Sequence, residues 1–345
     1  MRTDHGLQVV RFGLIGAGRI GAIHAGNIAR RVPGAELAAV ADPREDAARA
    51  LAAQYGAAAT DVDGVLKDPE IDAVAITAIA AAHSDLIVKA AEAGKGIFCE
   101  KPASLDLEEI DRAIAAVKQA KVPLQIGFNR RFAKDFSQAK KVITAGGVGI
   151  PQLMRSITRD PGWPAGLSNA AGVRPWTIFR ETLIHDFDAL LWLNEGAEPV
   201  EVYTKADALV APQYKESGLL DTAVVVVTFD NGAIATAEAN FSALYGYDVR
   251  AEVFGSKGMV TAGQHAGSPL VHYSAEGMWQ QTLRSDEEMF ADAYTQELID
   301  FTEAVRDKNT TPSPGAEDAR KALRVALAAM KSHEESRPVQ LKELP

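Results

Sequence analysis

The sequence predicts an α/β chain in two domains: an N-terminal parallel sheet wound with helices, then an α+β domain with a mainly antiparallel, open sheet. Three observations carry this. At 345 residues and 36.8 kDa the chain exceeds what one hydrophobic core usually serves. Up to about residue 128, short apolar runs alternate with helical stretches, the pattern of right-handed βαβ units. After about residue 132, runs rich in β-branched residues follow one another with only turns between them. The expected domains are therefore residues 1–128 and 129–345.

In the first domain, strands are expected at residues 10–15, 37–41, 73–77, 96–99 and 124–128. Alanine-rich helices fall between them at 20–30, 44–55, 83–93 and 107–120, with Gly94 ending the third and Asp106 or Ser104 capping the fourth. In the second domain, strands are expected at 153–159, 200–206, 224–229, 233–239, 249–254, 259–261, 270–273 and 279–283. Asp230-Asn231-Gly232 between two of these runs is a strong hairpin signal. The result is an antiparallel sheet of about six strands, interrupted early by one helix at roughly 179–193. Two helices close the chain, at 291–306 and 316–331, with Pro312 and Pro314 in the linker between them. The last carries a one-sided stripe, Leu323, Ala326, Leu327 and Met330, and is a candidate to pack back on the first domain.

Composition narrows the function. A net charge of −10 and a pI near 5.3 argue against a nucleic-acid or anionic-membrane partner, which would need a basic face. Cys99 is the only cysteine, so no intrachain disulfide and no thiolate metal cluster can form, and a reducing, cytoplasmic setting fits. Residues 1–8 hold no apolar core of signal-peptide length, and no run approaches the ~18 apolar residues of a membrane span.

The strand at 10–15 runs directly into Gly16-Ala17-Gly18-Arg19-Ile20-Gly21 and a helix, the grammar of a dinucleotide site. Each glycine has its own reason: Gly16 permits the tight turn, Gly18 lets backbone approach a pyrophosphate, and Gly21 lets helix and strand lie close. The helix start, at Arg19 and Ile20, turns unpaired N–H groups and a positive dipole end toward the phosphates. Asp42 ends the next strand 21 residues past Gly21, close to the ~20 expected of the acid that holds an adenosine ribose. It favours NAD over NADP, because a carboxylate repels a 2′-phosphate; Arg44, two residues on, weakens that preference.

Three further places concentrate polar groups. Thr77 and His83 follow the strand at 73–77, where ligands of open α/β sheets collect, although His83 can equally be a helix-starting residue. Glu100-Lys101-Pro102 follows the strand at 96–99; an ammonium there could stabilise a developing alkoxide, or could simply be a solvated turn lysine. Glu181 and His185 are four apart on the expected helix, so one face would carry both, and a carboxylate contact would suit His185 to proton removal. Such a pair is also common on helix surfaces without function.

The chain as a whole resembles the family of glucose–fructose oxidoreductase and inositol dehydrogenase, and most closely its inositol dehydrogenase branch. The marks are residues 16–24, Glu100-Lys101-Pro102, Gly127-Phe128-Asn129-Arg130-Arg131-Phe132, Arg159-Asp160-Pro161, His185-Asp186-Phe187-Asp188 and Tyr245-Gly246-Tyr247-Asp248. The resemblance implies a Rossmann domain binding NAD, Lys101 touching both cofactor ribose and substrate hydroxyl, and His185 as acid/base. Glu181 stands where inositol dehydrogenases usually carry aspartate, and Asn129, Arg159, Thr182 and Tyr245 fall near positions lining or supporting a polyol pocket. Departures include Ile79 in place of a loop proline and Arg174-Pro175-Trp176-Thr177 in place of a Gly-Gly segment. They bear on which polyol or sugar is the substrate. No metal is required, because Lys101 supplies the positive charge.

Two other readings stay open at this level: an NAD-assisted glycosidase that oxidises its substrate transiently, and a non-catalytic dinucleotide-binding sensor. The open sheet of the second domain, with Val224 and Val226 on one side, suggests a homodimer or homotetramer.

Overall fold

In the computed structural model, residues 3–4, 7–161, 175–263, 266–268, 270–307 and 310–345 are described. A short antiparallel hairpin, β1 (Thr3–Asp4) with β2 (Leu7–Gln8), precedes the first sheet. Then β3 (Val10–Ile15), α1 (Arg19–Arg30), β4 (Ala35–Ala41), α2 (Glu45–Tyr55), β5 (Ala58–Thr60) and α3 (Val62–Lys67) form one half of a doubly wound fold. The other half is β6 (Ala73–Ile76), α4 (His83–Glu92), β7 (Gly96–Glu100), α5 (Leu107–Ala120) and β8 (Leu124–Gly127).

The six strands run parallel in the order β5-β4-β3-β6-β7-β8. Connections leave β3 and β6 in opposite directions, so the crevice at their carboxyl ends is where this fold holds ligands. Every residue of β6, β7 and β8 is buried, which is why β6 and the first four residues of β7 read as unbroken apolar runs rather than alternating ones. Of the two candidate caps for α5, Asp106 is the one used: its Oδ1 accepts the amides of Glu108 and Glu109 at 2.8 and 3.2 Å. β5 and α3 escaped the sequence reading because neither carries a run of large apolar residues.

The second unit begins with α6 (Lys134–Thr144), a helix too polar to announce itself, and β9 (Pro151–Arg159). The expected helix at 179–193 is in fact two pieces, a π-helical turn at Ile178–Thr182 and α7 (Ile184–Leu193). There follow β10 (Pro199–Asp207), β11 (Thr222–Phe229), β12 (Ile234–Asn240), β13 (Asp248–Gly255), β14 (Gly258–Ala262), β15 (His272–Ser274), β16 (Gly277–Trp279) and α8 (Asp286–Met289). The chain closes with α9 (Ala291–Arg306), α10 (Ala316–Glu335) and β17 (Val339–Gln340).

Seven strands rather than six make the second sheet, in the order β14-β13-β9-β12-β11-β10-β17. The extra one is β17, paired to β10; β9 and β12 are its parallel pair, and the other pairings are antiparallel. The strands expected at 270–273 and 279–283 shift to β15 and β16, which form a separate exposed hairpin. The period-2 pattern separates the faces of the sheet. Met154, Ser156 and Thr158 of β9 and Ala223, Val225, Val227 and Phe229 of β11 are buried, and α7 packs on that side. Leu153, Val224, Ile234, Phe254 and Met259 are exposed on the other.

The domain boundary also differs from the expected one. Met1–Phe132 and Asp292–Arg320 form one compact unit, and Ala133–Ala291 with Lys321–Pro345 the second. The reason lies in α9, whose Leu298 and Phe301 join the core of the parallel sheet with Phe12 and Phe98. The Phe301 ring lies 6.0 Å from the centroids of both. Of the last helix, only Ala316–Arg320 belongs with the first unit; Lys321–Glu335 belongs with the second. An amphipathic stripe states that a helix has a partner, but not which one.

Candidate functional site

The glycine turn after β3 has the geometry its spacing implies. Gly16 has φ +113°, and a Cβ there would meet the backbone of Thr77 and Ala78 at 2.6 Å. A Cβ on Gly21 would come within 2.0 Å of Gly16 O, so helix and turn touch only because both are glycine. Gly18 is different: a Cβ there meets nothing within 4 Å, and its φ of −80° suits any residue. The protein itself therefore places no demand for glycine at 18, as expected where a ligand's phosphates would fill the space. The first turn of α1 holds no acid, and Gly18 offers it no side-chain cap, which leaves its amides to an anion.

Thr77 serves the turn rather than facing out of it. It is buried, and its hydroxyl donates to Gly16 O at 2.7 Å. Asp42 spans the mouth: Oδ2 accepts the Ala17 amide at 2.7 Å and Oδ1 the Arg44 amide at 2.8 Å. Burial raises its carboxyl pKa, but the amides of Ala17 and Arg44 and the Arg44 charge outweigh that, so it stays below its usual range and ionised. Ionised oxygens keep lone pairs for two ribose hydroxyls, so the residues present fit a dinucleotide.

His83 is 2% exposed, with Nδ1 at 2.8 Å from Pro102 O and Nε2 at 2.9 Å from Ala78 O. It ties the loop after β6 to the loop after β7, so the structure gives it a structural place rather than a cofactor-facing one. Burial lowers its pKa, against the pull of the two carbonyls and Glu100. Glu100 likewise turns into the core, while Lys101, the next residue, is half-buried in the loop that leaves β7.

In the second unit, His185 lies in the first turn of α7 and is partly exposed. Glu181 and Thr182 precede it on the π-helical turn, and the two helical pieces meet at Leu183. Four-residue spacing does not by itself put Glu181 and His185 on one helical face here, because a π turn advances each residue by a different angle from an α turn. Arg174, in the segment that departs from the relatives, lies outside the described residues.

What holds α7 in place is Asp186, the residue after His185 in the His185-Asp186-Phe187-Asp188 motif. Asp186 is fully buried and accepts hydrogen bonds from Ser156 Oγ at 2.5 Å and Thr158 Oγ1 at 2.6 Å. The signal was present: two hydroxyl residues at alternate positions on the inward face of β9 need a buried acceptor.

Two expected pocket residues, Arg159 and Tyr245, pair with carboxylates of the second sheet. Arg159 shares the open face of the sheet with Leu153 and Arg155, its guanidinium 3.4 Å from Glu238. Tyr245 donates its hydroxyl to Asp248 at 2.7 Å; burial and that bond raise its pKa, and Asp248 also binds Arg250 on the same face. Alternation along β9 decides this, since Arg159 is one residue out of phase with Thr158, which faces α7. Asn129 is buried in the turn that follows β8.

Known proteins share this architecture. The description "oxidoreductase family, NAD-binding Rossmann fold" matches residues 10–128, and the C-terminal alpha/beta domain of the same family matches residues 177–341. Myo-inositol 2-dehydrogenase of Thermotoga maritima is 38% identical over 97% of this chain and 99% of its own. The scyllo-inositol 2-dehydrogenase (NAD(+)) of Bacillus subtilis is 38% identical over 96% of each chain. The crystal structure of scyllo-inositol dehydrogenase from Lactobacillus casei with bound NAD(H) and scyllo-inositol is 29% identical, with a TM-score of 0.91 covering 97% of this chain and 100% of that one. The chain belongs to this oxidoreductase family of glucose–fructose oxidoreductase and inositol dehydrogenase. Among the described residues, no helix is long and apolar enough to cross a membrane.

Proposed function

We propose that this member of the family is an NAD-dependent dehydrogenase acting on a secondary hydroxyl of a cyclic polyol or sugar of the inositol class. The observation that carries the reading is the open space at Gly18, beside an uncapped helix start and an ionised Asp42. When bound, the nicotinamide supplies the hydride acceptor. His185 takes the hydroxyl proton, Lys101 offers its ammonium to the developing alkoxide, and Glu181 orients substrate or histidine. In reduction the same groups act in reverse. Relatives named for myo-inositol and for scyllo-inositol are equally identical to this chain, so identity supports the polyol class and not one stereoisomer.

The test is a screen of inositols, aldoses and glycosides with NAD and with NADP, following reduced cofactor by absorbance. Net reduction of NAD by a polyol is expected, with NADP at least about tenfold poorer in kcat/KM. Release of an aglycone without net NADH would replace the reading with a glycosidase. Lys101→Ala should lower kcat by about two to three orders of magnitude while NAD affinity stays within a few fold. Survival of turnover in that variant would remove the alkoxide role.

Self-association through the open sheet belongs to the same proposal. Ile234, Leu153, Phe254 and Met259 are register neighbours on four adjacent strands, an exposed apolar row across the sheet. A reducing, cytoplasmic setting is supported by Cys99, which is free and buried.

A further inference from the structure

Three ionisable side chains meet inside the first unit. His24 lies on α1, Glu100 ends β7 and Glu297 lies on α9, with exposures of 0%, 5% and 0%. His24 Nε2 is 2.8 Å from Glu100 Oε1 and 3.9 Å from Glu297 Oε1. Phe98 and Tyr294 meet the imidazole edge to face, with centroids 5.1 and 5.7 Å away. Glu100 Oε2 accepts the backbone N–H of Lys101 at 3.1 Å. Gly127 faces Glu100 on β8, and a Cβ there would press on the carboxylate at 3.2 to 3.3 Å. This glycine of the Gly127–Phe132 motif thus leaves the space that the carboxylate fills.

The chemistry of the cluster follows from charge. Two carboxylates around one imidazole in a dry interior do not both ionise, because each charge raises the cost of the other. Burial opposes the charge on Glu100, but the His24 bond and the fields of His24, Lys101 and His83 outweigh it and hold its carboxyl below the usual range. Neither Glu297 oxygen has a hydrogen-bond partner, and burial, then the Glu100 charge, push its carboxyl well above the usual range. An ionised carboxylate only accepts, so His24 Nε2 donates to Glu100. The Cys99 thiol, beside Glu100, is itself pushed up by burial and by that charge.

We propose that His24, Glu100 and Glu297 form a buried triad in which Glu100 is the ionised carboxylate and Glu297 holds its proton, and that the triad positions Lys101. Glu100 anchors the first backbone amide beyond β7, His24 anchors Glu100, and Glu297 closes the far side as a neutral acid. Glu297, His24 and Glu100 are positioning residues, not catalytic ones. The positioning half rests on the role proposed for Lys101; the charge half does not.

The charge half is tested by Glu297→Gln, which keeps the shape and is permanently neutral. In the wild type, unfolding above the ordinary glutamate value near 4.5 releases the Glu297 proton, so the unfolded state binds fewer protons and stability falls as pH rises. The variant lacks that loss. Its unfolding constant relative to wild type should therefore improve, by up to about tenfold per pH unit, from about pH 5 until the folded carboxyl itself ionises. A relative stability that is flat, or that worsens with pH, overturns the proposal. Infrared difference spectra of wild type against Glu297→Gln at neutral pH should show a protonated carboxyl band, and its absence overturns it too. So would a stoichiometric metal ion in the purified protein, because the three ligand atoms lie within 4.8 Å of one another and a cation would keep both carboxylates ionised.

The positioning half is tested by Glu100→Gln, which should lower kcat by about tenfold with KM and NAD affinity within a few fold. An unchanged kcat overturns that half. If Lys101→Ala also keeps its turnover, the failure lies with the proposed function, whereas the stability and infrared measurements need no turnover at all.

Discussion

Replacing Thr158 with valine removes one hydroxyl and almost no volume, at a point where the second unit depends on a buried carboxyl group. Thr158 Oγ1 and Ser156 Oγ both donate to Asp186, at 2.6 and 2.5 Å, and Asp186 is 0% exposed. Leaving a buried hydrogen-bonding group without its partner costs about 1–3 kcal/mol, and water cannot substitute in a site this closed. Thr158→Val should therefore cost about 1–3 kcal/mol, a fall of roughly 2 to 12 °C in Tm for a unit of this size. The same bond fixes the first turn of α7, and His185 is the residue next to Asp186. Turnover should then drop while NAD affinity, set in the other unit, does not. Scanning calorimetry with steady-state kinetics and a cofactor titration reads all three quantities. A Tm within about 1 °C of wild type together with an unchanged kcat would refute the claim that this contact holds the helix.

The glycine turn separates fold from function in one pair of variants. Gly18→Ala should leave Tm nearly unchanged, since its Cβ meets nothing, yet weaken NAD binding measured by calorimetric titration by about tenfold or more. Gly21→Ala should instead destabilise the protein, because its Cβ falls 2.0 Å from Gly16 O. Equal effects of the two on Tm would remove the argument for a ligand at Gly18. On the open sheet, Phe254→Glu puts a charge in the exposed apolar row and should shift the protein toward monomer in light scattering; an unchanged mass would move the self-association surface elsewhere.

The parallel sheet was legible because buried strands and glycine punctuation are local. The strand expected at 10–15 is β3, and the helix expected at 107–120 is α5 with its Asp106 cap. The second sheet was less so. β17 is two residues long and exists only because β10 offers an edge, and the exposed hairpin of β15 and β16 carries, in Tyr273 and Trp279, the aromatic signal of a core strand. The π-helical turn before α7 has no signature that periodicity detects, which is why Glu181 and His185 were expected on one helical face.

By itself, the sequence determined the dinucleotide turn, the acid at 42, the presence of Lys101 and His185, and the family, since these depend on residue type at short spacing. Tertiary structure decided what distance along the chain hides. It turned His83 and Glu100 inward, set Arg159 and Tyr245 on the open sheet face, sent α9 back to the first unit and brought Glu297 to His24. Those outcomes depend on which face of a strand or helix meets which neighbour, and a shift of one residue reverses them.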